Sequence, residues 1–365
     1  MKILISPLQA DSMINQANLF KKLLEESGFD VEMKSTITFR DLEDNNVKGA
    51  IWFQLATPPF VSDAVVTYLM SNNKPCVLYV TIEGVPKRGA VAHSNITRCQ
   101  FVAVSNFVKD CLRSVGIKVK RVVHHAIDWK LCGEIEKYNR IQQKIIESKA
   151  KDKVRFIVVA RDDPRKNLKG LADALKILDK KGLSKEFILF LITDETAKEK
   201  FEGLNNVVFL KPFGGSDHKT ILGYIKACHY LIQPSFCEGF GLPVLEANAV
   251  GIPAIHCDMP PLNEFTSPDF NFMFNYIDKQ LVKSVTQYWI FHVFPPDFLA
   301  EMIEFAIDVF KNNKDEYNEY CTKAREWTKE WDYRVKYVDL MDELKLPLPP
   351  WSLVRELRTM DEILK

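Results

Sequence analysis

One stretch in the second half of the chain combines a glycine-rich turn with two carboxylates. Residues 234–246 read Pro-Ser-Phe-Cys-Glu-Gly-Phe-Gly-Leu-Pro-Val-Leu-Glu. The apolar run before this stretch predicts a buried strand, and Pro243 predicts the first turn of a helix. Backbone N–H groups at the start of a helix attract a phosphate, whereas Glu238 and Glu246 are suited to accept hydrogen bonds from sugar hydroxyls. Together they favour a ligand that carries both a phosphate and a sugar.

A second polar loop precedes that stretch in the chain. Residues 158–167 read Val-Val-Ala-Arg-Asp-Asp-Pro-Arg-Lys-Asn, directly after an apolar run that predicts a strand. Two cations at the carboxyl end of a parallel strand can stabilise the negative charge that builds on a departing phosphate. Arg161 and Lys166 are the candidates, and Arg165 is an alternative to Lys166 that the sequence leaves open.

These two segments resemble the donor site of the retaining glycosyltransferases of family four, which have the GT-B fold. The resemblance implies that Glu238 holds hydroxyls of the donor sugar and that Glu246 holds the ribose. It also implies that the backbone of a short turn contacts the diphosphate. That turn consists of Gly239, Phe240, Gly241 and Leu242.

The same resemblance assigns roles outside that stretch. Arg161 and Lys166 would clasp the donor diphosphate, and Pro212 and Phe213 would lie in the loop around the nucleotide base. Many family members carry a histidine near the reacting sugar, at a position that Glu83 occupies in this chain. A carboxylate there could steady positive charge at the anomeric carbon or bind hydroxyls, and the alternative is a surface Glu before a tight turn.

Two further features separate the chain from the family pattern. Ala160 replaces a glycine before Arg161, and the loop after the first strand, residues 7–12, contains no glycine. In the first half, His125 and Asp128 lie in a segment similar to the family's Gly-Ile-Asp motif and are further candidates for ligand contact.

The composition limits the class of protein. The chain has 365 residues, enough for two domains, with 47% hydrophobic residues and a formal net charge of +1. This near-zero net charge argues against a nucleic-acid partner. Residues 1–150 contain 20 basic and 15 acidic residues, and this small excess allows at most peripheral membrane contact. Eight cysteines without a Cys-x-x-Cys pair predict reduced thiols, and no apolar segment is long enough to span a membrane, so we expect a cytoplasmic protein.

Strand and helix patterns alternate in both halves and predict an α/β protein. The resemblance implies a GT-B fold in which two Rossmann-like, doubly wound domains face a deep interdomain cleft. The predicted domains are an acceptor-side domain (1–150), a donor-binding domain (151–330) and C-terminal helices (331–365), which the resemblance implies cross back to the first domain. Residues 265–294 are rich in aromatic residues without a clear period, and we expect them to pack against the domain interface.

The expected activity is transfer of a hexose-type sugar from a nucleotide-sugar donor to a glycan, lipid or protein acceptor, with retention of configuration. The chain contains no Asp-x-Asp motif, and we expect neither a metal ion nor a cofactor. Two alternatives remain. The first is another GT-B activity, an epimerase or a phosphorylase. An epimerase uses the donor alone, so a requirement for an acceptor hydroxyl would distinguish a transferase from it. The second is a non-catalytic sugar-nucleotide-binding scaffold, which would show binding without turnover.

Overall fold

The structure is a computed structural model that describes residues 1–55, 61–87, 98–210 and 213–353. Its strands, in chain order, are β1 (Lys2–Pro7), β2 (Asp30–Met33), β3 (Val47–Leu55), β4 (Cys76–Thr81), β5 (Gly84–Pro86), β6 (Gln100–Ala103), β7 (Val119–Val122), β8 (Val154–Val159), β9 (Phe187–Ile192), β10 (Val207–Phe209), β11 (Tyr230–Gln233), β12 (Ala254–Cys257), β13 (Phe272–Phe274), β14 (Asp278–Lys283) and β15 (Gln287–Val293).

The α-helices begin and end as follows: α1 (Asp11–Glu26), α2 (Asp63–Ser71), α3 (Asn106–Ser114), α4 (Trp129–Glu134), α5 (Arg140–Lys149), α6 (Leu168–Lys180), α7 (His218–Lys226), α8 (Leu242–Ala249), α9 (Pro296–Asn312), α10 (Lys314–Trp327), α11 (Tyr333–Lys336), α12 (Val338–Glu343) and α13 (Pro350–Leu353). Of the C-terminal helices predicted over 331–365, the part after Leu353 lies outside the described residues. Among the described residues, no helix is both long and apolar enough to cross a membrane.

The chain divides into two units. The first contains Met1–Asp128, Val282–Trp289 and Glu330–Lys365. Its described sheet has the order β2-β1-β3-β4-β6-β7, and every pairing in it is parallel. The central strands β3 and β4 are almost wholly buried, as expected where helices cover both faces of a parallel sheet.

The C-terminal segment from Glu330 is part of the first unit. Tyr337 is fully buried, and its hydroxyl donates to the side chain of Gln16 on α1. The amide of Gln16 also donates to the carbonyl of Ala126 at 2.9 Å and accepts from its N–H at 2.9 Å. The buried side chain of Gln16 therefore joins α1 to the loop after β7 and to Tyr337, which lies between α11 and α12.

The second unit contains Trp129–Leu281 and Ile290–Lys329. Its described sheet has the order β10-β9-β8-β11-β12-β13, again with parallel pairings. In chain order this is 3-2-1-4-5-6, the order of a Rossmann-type sheet, whose direction reverses between β8 and β11. The predicted class, α/β with two Rossmann-like doubly wound domains, is confirmed.

The division between the units falls before the predicted boundary at residue 150. Helices α4 and α5 belong to the second unit because their residues pack there. The guanidinium of Arg325 on α10 lies 3.6 Å from the ring centroid of Trp129 and donates to its carbonyl at 2.7 Å. The charged, glutamine-rich sequence after Lys130 gave no sign of this packing.

The aromatic residues between 265 and 294 have two structural roles. Some of them fill the core of the second unit, where Phe236 lies 5.4 Å from Phe291 and 5.2 Å from Phe294 between ring centroids. Tyr288 and Trp289 lie on β15, which is the middle strand of a small sheet of order β14-β15-β5. Within the first unit, Gln287–Trp289 of β15 pair antiparallel with Gly84–Pro86.

The buried position of Tyr337 generates a stability prediction. Tyr337→Ala removes a fully buried ring and the hydrogen bond to Gln16, so we expect the free energy of unfolding to fall by about 4 kcal/mol. The control is Tyr138→Ala, because the ring of Tyr138 is half exposed. Chemical denaturation of both variants measures the difference. Equal losses in the two variants would show that the C-terminal segment does not stabilise the first unit.

Candidate functional site

The loop after β8 is shaped by two side-chain caps. The carboxylate of Asp163 accepts from the N–H of Arg165 at 3.0 Å and begins a short 3-10 helix over Pro164–Lys166. Asn167 follows in the left-handed conformation (φ 51°), and its side chain accepts from the N–H of Gly170 at 3.1 Å to begin α6. These caps fix the direction in which Arg165 and Lys166 project.

The turn after β11 requires a glycine. Gly241 has a φ of 105° at the start of α8, and a Cβ atom there would collide with the side chain of Leu262. The rings of Phe240 and Phe265 stack with centroids 4.7 Å apart, so the side chain of Phe240 is part of the core. Phe240 can therefore meet a ligand only through its backbone, as can its neighbour Gly239, whereas Leu242 forms the first residue of the helix.

The predicted carboxylate and the predicted lysine meet at this point of the sheet. Glu238 is only 5% exposed, and its Oε1 atom accepts from Lys166 Nζ at 2.5 Å. The same oxygen accepts from the amide of Gln233, the last residue of β11, at 2.6 Å. Arg165 Nη1 lies 3.4 Å from Oε2. Both cations that the sequence left as alternatives therefore contact Glu238.

The charge of Glu238 depends on these neighbours. Burial by itself raises the pKa of the carboxyl, but the positive charges of Lys166 and Arg165 and the hydrogen bonds from Lys166 and Ser235 lower it further than burial raises it. The net effect holds the pKa of Glu238 below its ordinary value. Glu238 is therefore an ionised acceptor at neutral pH, able to bind hydroxyl groups.

Arg161 stands at the beginning of the same loop, next to the end of β8. Its guanidinium carbon lies 5.1 Å from the ring centroid of Phe213, and the side chain is exposed. No carboxylate of the described residues forms an ion pair with Arg161. Its charge is therefore not offset by a described partner, unlike that of Lys166. Pro212, which was predicted beside Phe213, lies outside the described residues.

Glu246 lies one turn into α8 and is nearly buried. Its Oε1 atom is 2.7 Å from Nε2 of His218, the first residue of α7. Because a carboxylate can only accept, the hydrogen is on Nε2. The predicted ribose ligand is thus held by a histidine that the sequence analysis did not select.

Glu83 belongs to the first unit and lies between β4 and β5. Its backbone N–H donates to Gln287 Oε1 at 3.1 Å, and its Oε2 atom accepts from Gln287 Nε2 at 2.7 Å. Gln287 is buried and comes from the Val282–Trp289 segment of the same unit. Two hydrogen bonds therefore fix the orientation of the Glu83 carboxylate.

The two other first-half candidates have clear partners. His125 is buried, its ring Nδ1 lies 3.0 Å from the hydroxyl of Tyr79, and burial lowers its pKa to about 3, so the ring is neutral. Asp128 forms an ion pair with Lys22 at 2.7 Å. His125 is thus part of the core of the first unit.

Sequence reasoning missed the partners that orient the selected residues. Gln233, His218 and Gln287 each contact a predicted site residue from another part of the chain. Gln233 gave a usable signal, because a polar residue ending an apolar strand points to the ligand edge of a parallel sheet. Within the described residues, no group of three or more His, Cys, Asp or Glu side chains could hold a metal ion.

The chain is similar in sequence to glycosyltransferases. Residues 139–288 match the sequence profile of the family described as glycosyl transferases group 1. A relative called uncharacterized glycosyltransferase 335, from Sulfolobus islandicus rod-shaped virus 1, is 27% identical over 346 residues, which cover 94% of this chain and all of the relative.

Solved structures share the fold. The crystal structure of a glycosyltransferase from Rickettsia africae has a TM-score of 0.70 at 14% identity, and the match covers 94% of this chain and 97% of that one. The structure of Anabaena HepE in complex with UDP and glucose has a TM-score of 0.65 at 15% identity and covers 94% and 99%. The matched profile supports a group 1 glycosyltransferase, and the solved structures show the GT-B fold.

Proposed function

We propose that this chain transfers a hexose-type sugar from a nucleotide-sugar donor to an acceptor hydroxyl, with retention of anomeric configuration and without a metal ion. One observation carries the proposal. The ionised carboxylate of Glu238 is buried against Lys166 and Arg165 at the carboxyl ends of β8 and β11. A ligand that bears hydroxyls next to phosphates matches this juxtaposition of an acceptor and two cations.

The donor would bind at the reversal point of the second sheet. Its diphosphate would meet Arg161, Lys166 and the backbone N–H groups that begin α8, while its sugar hydroxyls would donate to Glu238. Glu246 would bind the ribose, and Phe213 and Pro212 would line the base. The complexes of Anabaena HepE with UDP and with UDP-glucose make a uridine donor the first to test.

The proposed reaction needs no protein nucleophile. The bond between the anomeric carbon and the phosphate oxygen breaks, and its electron pair leaves with the nucleoside diphosphate. The acceptor oxygen bonds to the same face of the carbon, and its proton passes to an oxygen of the departing phosphate. Arg161 and Lys166 stabilise the charge on the leaving group, which is why we propose that a metal ion is not required.

Glu83 is proposed to act from the first unit. Positive charge develops at the anomeric carbon as the phosphate leaves, and an oriented carboxylate near that carbon lowers its energy. The reciprocal hydrogen bonds with Gln287 provide that orientation. The same carboxylate could instead accept from a hydroxyl of the donor or acceptor.

Donor binding is the first prediction of this proposal. In thermal unfolding with UDP-, GDP-, ADP- and dTDP-sugars and no added metal, one nucleotide class should stabilise the protein. At a donor concentration about 100-fold above Kd, the stabilisation is about 2.7 kcal/mol, or roughly 5–10 °C. Arg161→Ala and Glu246→Ala should lose most of this shift, whereas Arg140→Ala, an exposed arginine on α5, should keep it. A shift that survives in both site variants would contradict the proposed donor site.

The role of Lys166 gives a kinetic prediction. Lys166→Met removes a cation that stabilises the leaving group, so we expect kcat to fall about 100-fold or more. Lys169→Met is the matched control, since Lys169 lies one turn further along and its side chain is 77% exposed. Release of the nucleoside diphosphate from the donor, with and without candidate acceptors, measures the rate. Donor conversion that never requires an acceptor hydroxyl or water would indicate an epimerase instead.

Glu83 gives a third functional prediction. Glu83→Gln keeps the shape of the side chain and removes its charge, so kcat should fall at least about tenfold while donor affinity stays within about twofold. Gln287→Leu should produce a smaller fall in kcat, because the charge remains but its orientation is lost. Glu43→Gln, on an exposed residue of the same unit, should leave the rate unchanged. A Glu83→Gln enzyme with full activity would remove Glu83 from the reaction.

A further inference from the structure

The residue that holds the proposed ribose ligand comes from a neighbouring helix. His218 is the first residue of α7, and Asp217 caps that helix by accepting from the N–H of Thr220 at 2.8 Å. Nε2 of His218 lies 2.7 Å from Oε1 of Glu246 on α8 and donates its hydrogen to that oxygen. The capped end of α7 therefore fixes the backbone from which the imidazole reaches Glu246.

The Glu246 carboxylate keeps room for a ligand. A carboxylate accepts about four hydrogen bonds, and the contact with His218 uses one of them. Among the described residues, no second donor contacts this carboxylate, and 11% of the side chain is exposed. His218 thus orients the carboxylate and leaves most of its capacity to accept.

The two helices are joined at a second point, away from Glu246. Lys226 is the last residue of α7, and its Nζ atom donates at 3.0 Å to the carbonyl of Val250, directly after the end of α8. This bond holds the helices together without contacting the carboxylate. The two contacts can be removed one at a time, which separates orientation of Glu246 from packing of the helices.

We infer that His218 is a positioning residue for the donor ribose and that it makes the site select a ribonucleotide over a 2′-deoxyribonucleotide. This inference rests on the proposed function, because it requires Glu246 to bind the donor. With its orientation fixed, the carboxylate accepts from both neighbouring hydroxyls of the ribose at once. A carboxylate that rotates freely would lose that freedom on binding, and the loss would offset part of the second hydrogen bond.

A 2′-deoxyribose does not complete this arrangement. It lacks one of the two hydroxyls, so a carboxylate oxygen that binding removes from water gains no donor in return. A site built to hydrogen-bond a hydroxyl rejects the analogue that lacks it. Because the acceptor is charged, we expect a preference of at least about tenfold for the ribonucleotide.

The test measures binding of nucleoside diphosphates and of their 2′-deoxy forms to the full chain by calorimetry. UDP and 2′-deoxy-UDP form the first pair, and the guanosine and adenosine pairs cover other bases. His218→Leu removes the donor to Glu246, whereas His218→Gln keeps an amide N–H that can reach the same oxygen. Lys226→Met is the control, because it breaks the other bond between α7 and α8.

The unaltered chain should bind one ribonucleotide at least about tenfold more tightly than its deoxy form. In His218→Leu this ratio should fall to about threefold or less, through weaker binding of the ribonucleotide, whereas His218→Gln and Lys226→Met should keep it within about twofold of the original.

An unchanged ratio in His218→Leu would overturn the inference and leave the donor site standing, because a histidine that only joins the helices would weaken both ligands equally. A His218→Gln variant that behaves like His218→Leu would also overturn it. Failure of the unaltered chain to bind any of these nucleotides would contradict the proposed function itself, and the inference with it.

Discussion

The second unit is organised around one buried negative charge. Removing the Glu238 carboxylate from water is costly, and the contacts with Lys166, Arg165 and Gln233 offset that cost. Since a buried ion pair adds little net stability, its main effect here is orientation. It holds together the loop after β8, the end of β11 and the turn that begins α8. The positions of Lys166, Arg165 and Gln233 around the candidate sugar ligand depend on that arrangement.

The sheet topology explains why the charged groups meet. Strands β8 and β11 are adjacent and parallel although 70 or more residues separate them in the sequence, and the chain leaves them toward opposite sides. In sheets of this topology the ligand crevice lies outside the carboxyl ends of such a strand pair. Arg161 and Lys166 follow the carboxyl end of β8, and Glu238 and the start of α8 follow that of β11. The same principle applies to the first unit, where Glu83 follows the carboxyl end of β4.

Local patterns predicted the elements, but not the contacts between distant elements. The glycines and Pro243 indicated the turn and the start of α8, and the apolar run before Arg161 indicated β8. The hydrogen bonds of Gln287 with Glu83 join residues 204 positions apart, so no local pattern could reveal them. The strands β14 and β15 were not predicted, because β14 is exposed along almost its whole length and β15 carries aromatic residues at successive positions, so neither shows a simple alternation.

Calorimetry with a nucleoside diphosphate and with its sugar conjugate tests the central claim most directly. If Glu238 binds the sugar, Glu238→Gln should weaken binding of the conjugate by about tenfold or more and leave binding of the nucleoside diphosphate nearly unchanged, because only the conjugate offers hydroxyls to that carboxylate. Arg161→Ala should weaken binding of both ligands. Equal losses for the two ligands in Glu238→Gln would show that the buried carboxylate only supports the loops, and the account of the donor site would be wrong.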